Sequence, residues 1–590
     1  MVVGVLVGAA VVRLLGIGFG LPFPYAAVDE RIVTDRVAGF LHGDLDPHYF
    51  AYPSLCFELH GVVGWFRFAA GRIAGEWSSL AQFRELCWLD PEILLLPSRW
   101  LTALIGVATV WAAARVAAEL ARAQLPSSRT TRRTAAVGGA LAAATCFLHI
   151  SNSRTITVDI PCVFFGALAL VHALRHARAG RRRDLVMAAL HAGLTGSSKY
   201  YGALFALPVA AAAVFATAHA ARRAQGAGTN VVRLVLAKLA LAAATTLAAF
   251  LLTSPFVVLD WPAFVRDFAF LQHHVEGGHY GHDPTGNGAL VYGRILWSEQ
   301  VGPALLLAAA LGIAFLFVAR DASVRRGARA AAVVLLLQPL AHYALIATFK
   351  AQPPDYLLPL LPALAGAAGA AIAVVARLVA AARRRLSPAR HETTVANAAA
   401  AGLLALPLLI GGWHGLEEGL ALRRPDSRVL LREWTAHQWP DATQVASDSW
   451  LELPLTRACV EQIAADRAAP TPLPLRRGGD WTDEQLAAVL AATRRAPPPV
   501  GVDFLLLLPR ELDLGAPLLA TLRANGFRWL VLNGTHAART ERMRARFPAR
   551  AALYEKLFHG PWVVARFPET PEAGSGPELV VCDLEAAALK

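Results

Sequence analysis

Apolar runs of about twenty residues, the length that crosses a bilayer as a helix, recur along the chain as far as residue 413. They lie near 1–20, 98–120, 135–150, 160–177, 184–197, 200–219, 234–258, 301–319, 330–349, 356–377 and 396–413. Together they predict about eleven membrane helices. Residues 53–70 form a further apolar run whose status depends on the charges around it. From residue 414 the long runs vanish, and Trp, Pro and charged residues become frequent. VDFLLLLP (502–509), FRWLVLNG (527–534), PWVVARF (561–567) and ELVVCDL (578–584) read as buried strands ending in turns. DEQLAAVLAATRR (483–495) reads as a helix between them. The expected fold class is mainly α: a polytopic helical membrane domain over 1–413, then a small external α/β domain over 414–590, a typical domain size.

Composition agrees with a membrane protein. Of 590 residues, 55% are hydrophobic, and the mean hydropathy is +0.43. The formal net charge of +13 admits nucleic acid, an anionic membrane surface or a topology signal as its cause. The placement of the basic residues favours the last. They cluster at Arg122–Arg133, Arg175–Arg183, Arg222–Arg233, Arg320–Arg329 and Arg377–Arg390, each two spans from the next. All five clusters therefore share one face, which the positive-inside rule makes cytosolic. No nucleic-acid partner is expected. The count closes if 53–70 does not cross, so 21–97 reads as one long external loop with interfacial or re-entrant helices; a true span with an outward N-terminus is the alternative. The 259–300 loop and the C-terminal domain fall on the same external side. The first twenty residues carry one charge, Arg13, with no basic start or A-x-A-like site, and read as a retained helix rather than a signal peptide. The six cysteines form no CxxC pair, and no disulfide framework is expected.

The chemistry-bearing residues gather on the face opposite the arginine clusters. Asp29 and Glu30 stand side by side beyond the first helix. Carboxylates at a membrane interface face water, a cation or a substrate, although acidic residues also suit the first turn of an ordinary helix. Arg154 and Asp159 mark the second external turn, and Lys199 in GSSKYYG the third. Lys350, Asp355 and Tyr356 in FKAQPPDYLLPLLP mark the fourth. Each basic residue alone could be snorkelling to headgroups. In QHHVEGGHYGHDPTG, the histidines 273, 274, 279 and 282 lie near Glu276 and Asp283. That set admits a divalent metal, with His279 and Asp29 as possible ligands, or substrate contacts through His282, or a solvated loop. No cofactor is otherwise indicated.

These pieces resemble the GT-C glycosyltransferases of the protein-mannosyltransferase and aminoarabinose-transferase type. The matching segments, in order, are DE (29–30) followed by GDLDPHYFAYPSL (43–55), SRW (98–100), SRTITVDIP (153–161), GSSKYYG (196–202), SPFVVLD (254–260) and DYLLPLLP (355–362). The resemblance covers roughly 1–380. In the tail, DSRVLLREW (426–434) and FRWLVLNG…LFHGPWVVARF are similar to the external domain of bacterial relatives. The resemblance implies inverting transfer of a hexose or pentose from a polyprenyl- or dolichyl-phosphate donor to a lipid, glycan or protein acceptor. It implies a multi-pass protein of the cell (inner or plasma) membrane, in contact with membrane lipids, with its active site on the non-cytosolic side. Asp29 matches the catalytic acidic position, with Glu30 and Asp159 beside it; Glu30→Gln is expected to cost less than Asp29→Asn. Arg99, Lys199 and Lys350 are expected around the donor phosphate, with Tyr52 and Tyr356 at the substrate. Two positions depart from the family's pattern: Tyr52 stands where some relatives have Lys before the Pro, and Asp355 where relatives often have Arg before YLLP.

Two other classes compete. A transporter or flippase of a lipid-linked or small solute predicts broken central helices, mid-span charges and a repeat between halves, none of which the sequence displays. A membrane scaffold with an external binding domain gives no reason for Asp29, Asp159 and Lys199 to share a face.

Overall fold

The computed structural model describes residues 1–586 apart from 24–25, 125–128, 224–229, 279–286, 319–321, 387–401, 403–404, 469–480, 497, 499 and 571. Among the described residues, six helices are long and apolar enough to cross a membrane. They are Glu92–Gln124, Asp159–Ala179, Tyr200–Arg222, Val231–Leu252, Val324–Ile346 and Pro354–Ala382. The shorter apolar helices Val2–Leu14 and Pro303–Phe317 accompany them, and Arg129–Ala144 and Arg182–Ser198 pack within the same bundle. Lipid supplies no hydrophobic drive between helices, so small residues that permit close contact take its place. Gly139 and Gly369 show this: a side chain on Gly139 would strike the Ala117 Cβ, and one on Gly369 the backbone of Gly139 and Ala135.

The apolar run at 53–70 becomes the helix Leu55–Ala74, which is not among the six apolar candidates. Its start and its exit are tied to one local core. Cys56 and Phe57 from its first turn join Trp77 just past its end, together with Val33, Val37, Phe83, Leu94 and Leu95. Gly64 in its middle lies against Val37 and Leu94. The helix thus lies beside Val28–Leu41 and the start of Glu92–Gln124 rather than running down the bundle. Its outer face shows Val62, Trp65, Phe66 and Ile73, as suits an element resting at the edge of the apolar layer.

The opposite ends of the long helices are joined by charge. Glu119, almost fully buried, pairs with Arg122, Arg175 and Arg178. Glu92–Gln124 therefore carries Arg99 near one end and this arginine cluster near the other. Arg99 and Arg122 are 23 positions apart, a rise of about 35 Å at 1.5 Å per residue, roughly the thickness of a bilayer's hydrocarbon core.

The C-terminal region holds a five-stranded sheet ordered β2-β1-β3-β5-β4. Its strands are β1 (Thr443–Ser447), β2 (Val502–Leu506), β3 (Trp529–Asn533), β4 (Val563–Phe567) and β5 (Leu579–Asp583). β1 runs parallel to β2 and β3, while β5 is antiparallel to β3 and β4. The four apolar segments read as strands are β2 to β5. β1 (TQVAS) is short and half polar, so it carries no apolar run to mark it. The helix Asp483–Arg495 forms over the residues expected, opened by a Thr482–Gln485 capping box. Residue 413 falls inside the helix Leu409–Ala421, whose Gly411, Gly415 and Gly419 pack against Thr145, Ile150 and Leu15 of the bundle. That helix continues the helical part past the expected division; the expected span at 396–413 lies largely outside the described residues. The sheet domain docks through Asp483–Arg495: Arg31 donates to Gln485 Oε1 at 2.8 Å, and Arg495 pairs with Glu85.

Candidate active site

Asp29 lies in the first turn of the helix Val28–Leu41, where the helix dipole favours a carboxylate. Tyr52 Oη donates to its Oδ2 at 3.3 Å. Asp29 keeps contact with solvent, yet the protein around it removes enough water to hold its carboxyl above the usual carboxylate range. The nearby ammonium of Lys199 and the Tyr52 hydroxyl oppose that rise, and Asp159 adds to it.

The neighbouring residue has the opposite fate. Glu30 is fully buried and takes a fork of two bonds from Arg99, Nε to Oε1 at 2.8 Å and Nη2 to Oε2 at 2.6 Å. Its Oε1 also accepts the Ile156 N–H at 3.0 Å. Arg99 completes its donors on the carbonyls of Ile17 and Phe19, at 2.9 and 2.7 Å. Both residues expected at the site are therefore buried in one ion pair. Arg99 has no exposed surface and commits four of its five N–H donors within the protein, and Glu30 has no exposed surface either.

Below Asp29 lies a buried ionic cluster. Lys199, at the junction of Arg182–Ser198 and the 3-10 turn Tyr200–Phe205, donates to both oxygens of Asp159 at 2.9 and 2.8 Å. Asp355 stands 3.5 Å from the same Nζ, and Tyr201 Oη donates to Asp159 Oδ1 at 2.9 Å. The rings of Tyr201 and Tyr356 face the ammonium at 5.0 and 4.7 Å. Burial opposes the charge on Lys199, but Asp159 and Asp355 outweigh it and hold the group above the ordinary lysine range. Asp29, Asp159 and Lys199 thus come together from three segments far apart in sequence. Asp355, at the position where relatives often have Arg, here serves as a second counter-ion to Lys199.

One cation was missed by sequence reasoning. Arg36 lies two helical turns beyond Asp29, on nearly the same face since seven residues make almost two whole turns. Its guanidinium stacks on Tyr49 at 5.0 Å, and Tyr49 packs edge-on against Tyr52 at 5.9 Å. Its Nε is buried without a hydrogen-bond partner. The i, i+7 spacing from Asp29 was the available signal. Lys350 is exposed, with its backbone N–H bound to the Val275 carbonyl at 3.0 Å. His279 and His282 lie outside the described residues. Among the described residues, the metal-competent group is Asp46, His48 and Asp260, whose ligand atoms lie within 4.8 Å of one another. This donor set would suit a divalent cation; it draws on GDLDPHYF and SPFVVLD, not on the glycine-rich histidine loop.

Residues 95–257 match the family model described as dolichyl-phosphate-mannose-protein mannosyltransferase. That match runs from the helix Glu92–Gln124 to just past Val231–Leu252 and is a likeness over that part of the chain. Solved structures of similar outline include ArnT from Cupriavidus metallidurans bound to undecaprenyl phosphate (17% identity, TM-score 0.47, covering 98% of this chain and 97% of that one). An oligosaccharyltransferase from Archaeoglobus fulgidus has 13% identity and a TM-score of 0.44, over 94% of this chain and 72% of its own. The arabinofuranosyltransferase AftD from Mycobacteria has 18% identity and a TM-score of 0.40, over 99% of this chain and 42% of its own. At TM-scores below 0.5 these likenesses stand as observations only. No curated protein matches the chain.

Proposed function

We propose that this protein transfers a sugar, with inversion, from a polyprenyl-phosphate carrier to a hydroxyl of a lipid, glycan or protein acceptor. One observation carries the reading: a solvent-open carboxylate, Asp29, hangs over the buried Lys199–Asp159 pair at the membrane-edge end of the bundle. A carrier lipid cannot leave the bilayer, so its anomeric carbon reacts at about that height. In a single displacement the acceptor oxygen attacks the anomeric carbon and the bond to the phosphate oxygen breaks. The electron pair of that bond leaves with polyprenyl phosphate. Asp29 accepts the acceptor's proton, and its raised affinity for protons brings it closer to the range in which a general base works well. The departing phosphate needs positive charge rather than a proton. Lys199 is shared between two carboxylates, so Arg36, stacked on Tyr49 beside Tyr52, is the cation better able to supply it.

The site belongs on the non-cytosolic face. The arginines around Glu119 close the other end of the same helices, and the positive-inside rule assigns that end to the cytosol.

The test is sugar transfer by purified Asp29→Asn from a synthetic polyprenyl-phosphate sugar. The substitution keeps shape and removes the base, so turnover should fall about a hundredfold or more with unchanged thermal stability. Near-normal turnover would remove Asp29 from the chemistry and leave Asp159 as the next candidate.

A further inference from the structure

The arginine cluster around Glu119 holds more positive charge than one carboxylate balances. Glu119 accepts from Arg175 Nε at 2.9 Å and from Arg178 Nη2 at 3.1 Å, and it also pairs with Arg122. A fourth guanidinium, Arg115, lies one helical turn before Glu119, near enough for Arg175, Glu119 and Arg122 to act on it electrostatically. Among the described residues, Arg115 has no hydrogen-bond or ion-pair partner. Four guanidiniums thus gather at one carboxylate. The next carboxylate along, Asp184, is held by His172 at 3.1 Å and directly follows Arg181, Arg182 and Arg183, so it does not restore the balance.

Arg115 also stands where a lone cation is costly. On Glu92–Gln124 the side chains of Trp100, Leu104 and Trp111 are exposed, and their spacing puts Arg115 and Arg122 on the same face. In a membrane helix that face meets lipid. Arg115 lies seven positions inside Arg122, a rise of about 10 Å into a hydrocarbon layer about 30 Å thick. A charge at that depth needs an anion or water beside it. Arg175 offers a second set of free donors. Only its Nε is engaged, and its two terminal nitrogens have no partner among the described residues. A guanidinium with free, paired N–H groups matches the oxygens of a phosphate. Arg122, Arg175 and Arg178 all keep exposed surface.

We propose that the arginine-lined edge between Glu92–Gln124 and Asp159–Ala179 binds the headgroup phosphate of one anionic phospholipid. Arg115 and Arg175 are its main ligands, and its acyl chains run along the Trp111 and Leu104 face. The occupant is a lipid rather than a soluble anion, because Arg115 sits on lipid-facing surface below the headgroup plane. Only a molecule anchored in the same layer brings a phosphate there. Basic pockets between membrane helices on the cytosolic side are a known setting for anionic headgroups, and the positive-inside rule assigns this end to the cytosol. The site is separate from the transfer chemistry, about 24 Å along the helix from Arg99. A lipid held here would fasten Glu92–Gln124 to the helix that carries Asp159 at its other end.

The test is binding of phosphatidylglycerol and phosphatidylcholine to the full-length protein in detergent, read by native mass spectrometry. Wild type should hold one phosphatidylglycerol in clear preference to phosphatidylcholine and should melt at a higher temperature with it bound. Arg115→Gln removes no ion pair, so the lipid-free melting temperature should not change. Its affinity for phosphatidylglycerol should fall about tenfold, the loss of one charge-assisted bond. Arg115→Lys, which keeps the charge and loses the fork, should fall between. Arg133→Gln removes an exposed charge of the same basic face outside the cluster and should bind as wild type does. Equal weakening by Arg133→Gln and Arg115→Gln would reduce the site to the general attraction of a basic surface, which overturns the proposal. An absence of preference for phosphatidylglycerol also overturns it. So does displacement of the lipid by an equal concentration of glycerol phosphate, which would make this a site for soluble phosphates.

Discussion

Asp29 and Glu30 are chemically near-identical neighbours, yet one belongs to the open rim of the cleft and the other to the buried lattice beneath it. Glu30 meets Arg99 and the Ile156 N–H with no exposed surface. Asp29 takes a single tyrosine hydroxyl at 3.3 Å and is otherwise exposed. The same contrast separates Arg99, whose donors are spent on Glu30 and two carbonyls, from Arg36, whose Nε has no partner. A group that is fully satisfied in the protein holds structure; one left incompletely satisfied beside solvent remains available for a substrate. Satisfaction, not residue type, divides the two regions.

The largest effect that follows is on folding. Removing one partner of a buried ion pair leaves an unpaired charge and costs about 3–5 kcal/mol. Glu30→Gln and Arg99→Leu should each lower thermal stability sharply in detergent, whereas Asp29→Asn should leave it unchanged. A Glu30→Gln protein with wild-type melting and strongly reduced turnover would place Glu30 in the chemistry after all.

Much of this contrast could not be read from the chain. The membrane helices, the strands β2 to β5 and the helix Asp483–Arg495 were legible because burial imposes a period or a run on the sequence. The shared face of Asp29, Asp159, Lys199 and Asp355 was legible because alternating spans and arginine clusters fix which loops lie together. Partnering was not legible. Arg99 and Glu30 are 69 residues apart, and nothing local to SRW marks its arginine as already committed. Arg36 escaped notice because its neighbours Asp35 and Val37 look like an ordinary amphipathic helix, and its orphaned Nε exists only in three dimensions. The strand β1 was missed because TQVAS is buried by its neighbours rather than by its own apolarity.

A smaller effect concerns pH. Turnover requires Asp29 to be ionised, and desolvation raises its affinity for protons above that of a free carboxyl, near 3.9. The acid limb of kcat/KM should therefore lie above that value. Tyr52 donates to the ionised form and lowers the pKa, so Tyr52→Phe should move the limb to higher pH, with the plateau rate little changed. A limb that stays in place, or moves down, would show that another group controls it.

The smallest effect tests how the rim is held in position. Asp29, Glu30 and Arg31 are consecutive, and successive helical residues point about 100° apart, so the three side chains leave the helix in different directions. Glu30 fastens the helix to the bundle, and Arg31 fastens it to the sheet domain through Gln485, whose Oε1 also accepts the Thr482 N–H of its own capping box. Both Arg31 and Gln485 are buried. A hydrogen bond to a charged group contributes about 1.5–3 kcal/mol, less than the buried Glu30 pair. Gln485→Ala should therefore loosen the docking of the sheet domain and let Asp29 wander modestly, since Glu30 still anchors the same turn. The expected result is a fall in kcat of a few fold, an unchanged KM for the donor and recovery in Gln485→Glu, which restores an acceptor for Arg31. A loss as deep as that of Asp29→Asn would mean that the sheet domain, not Glu30, sets the position of the carboxylate. No change at all would confine the domain to a role outside the transfer step.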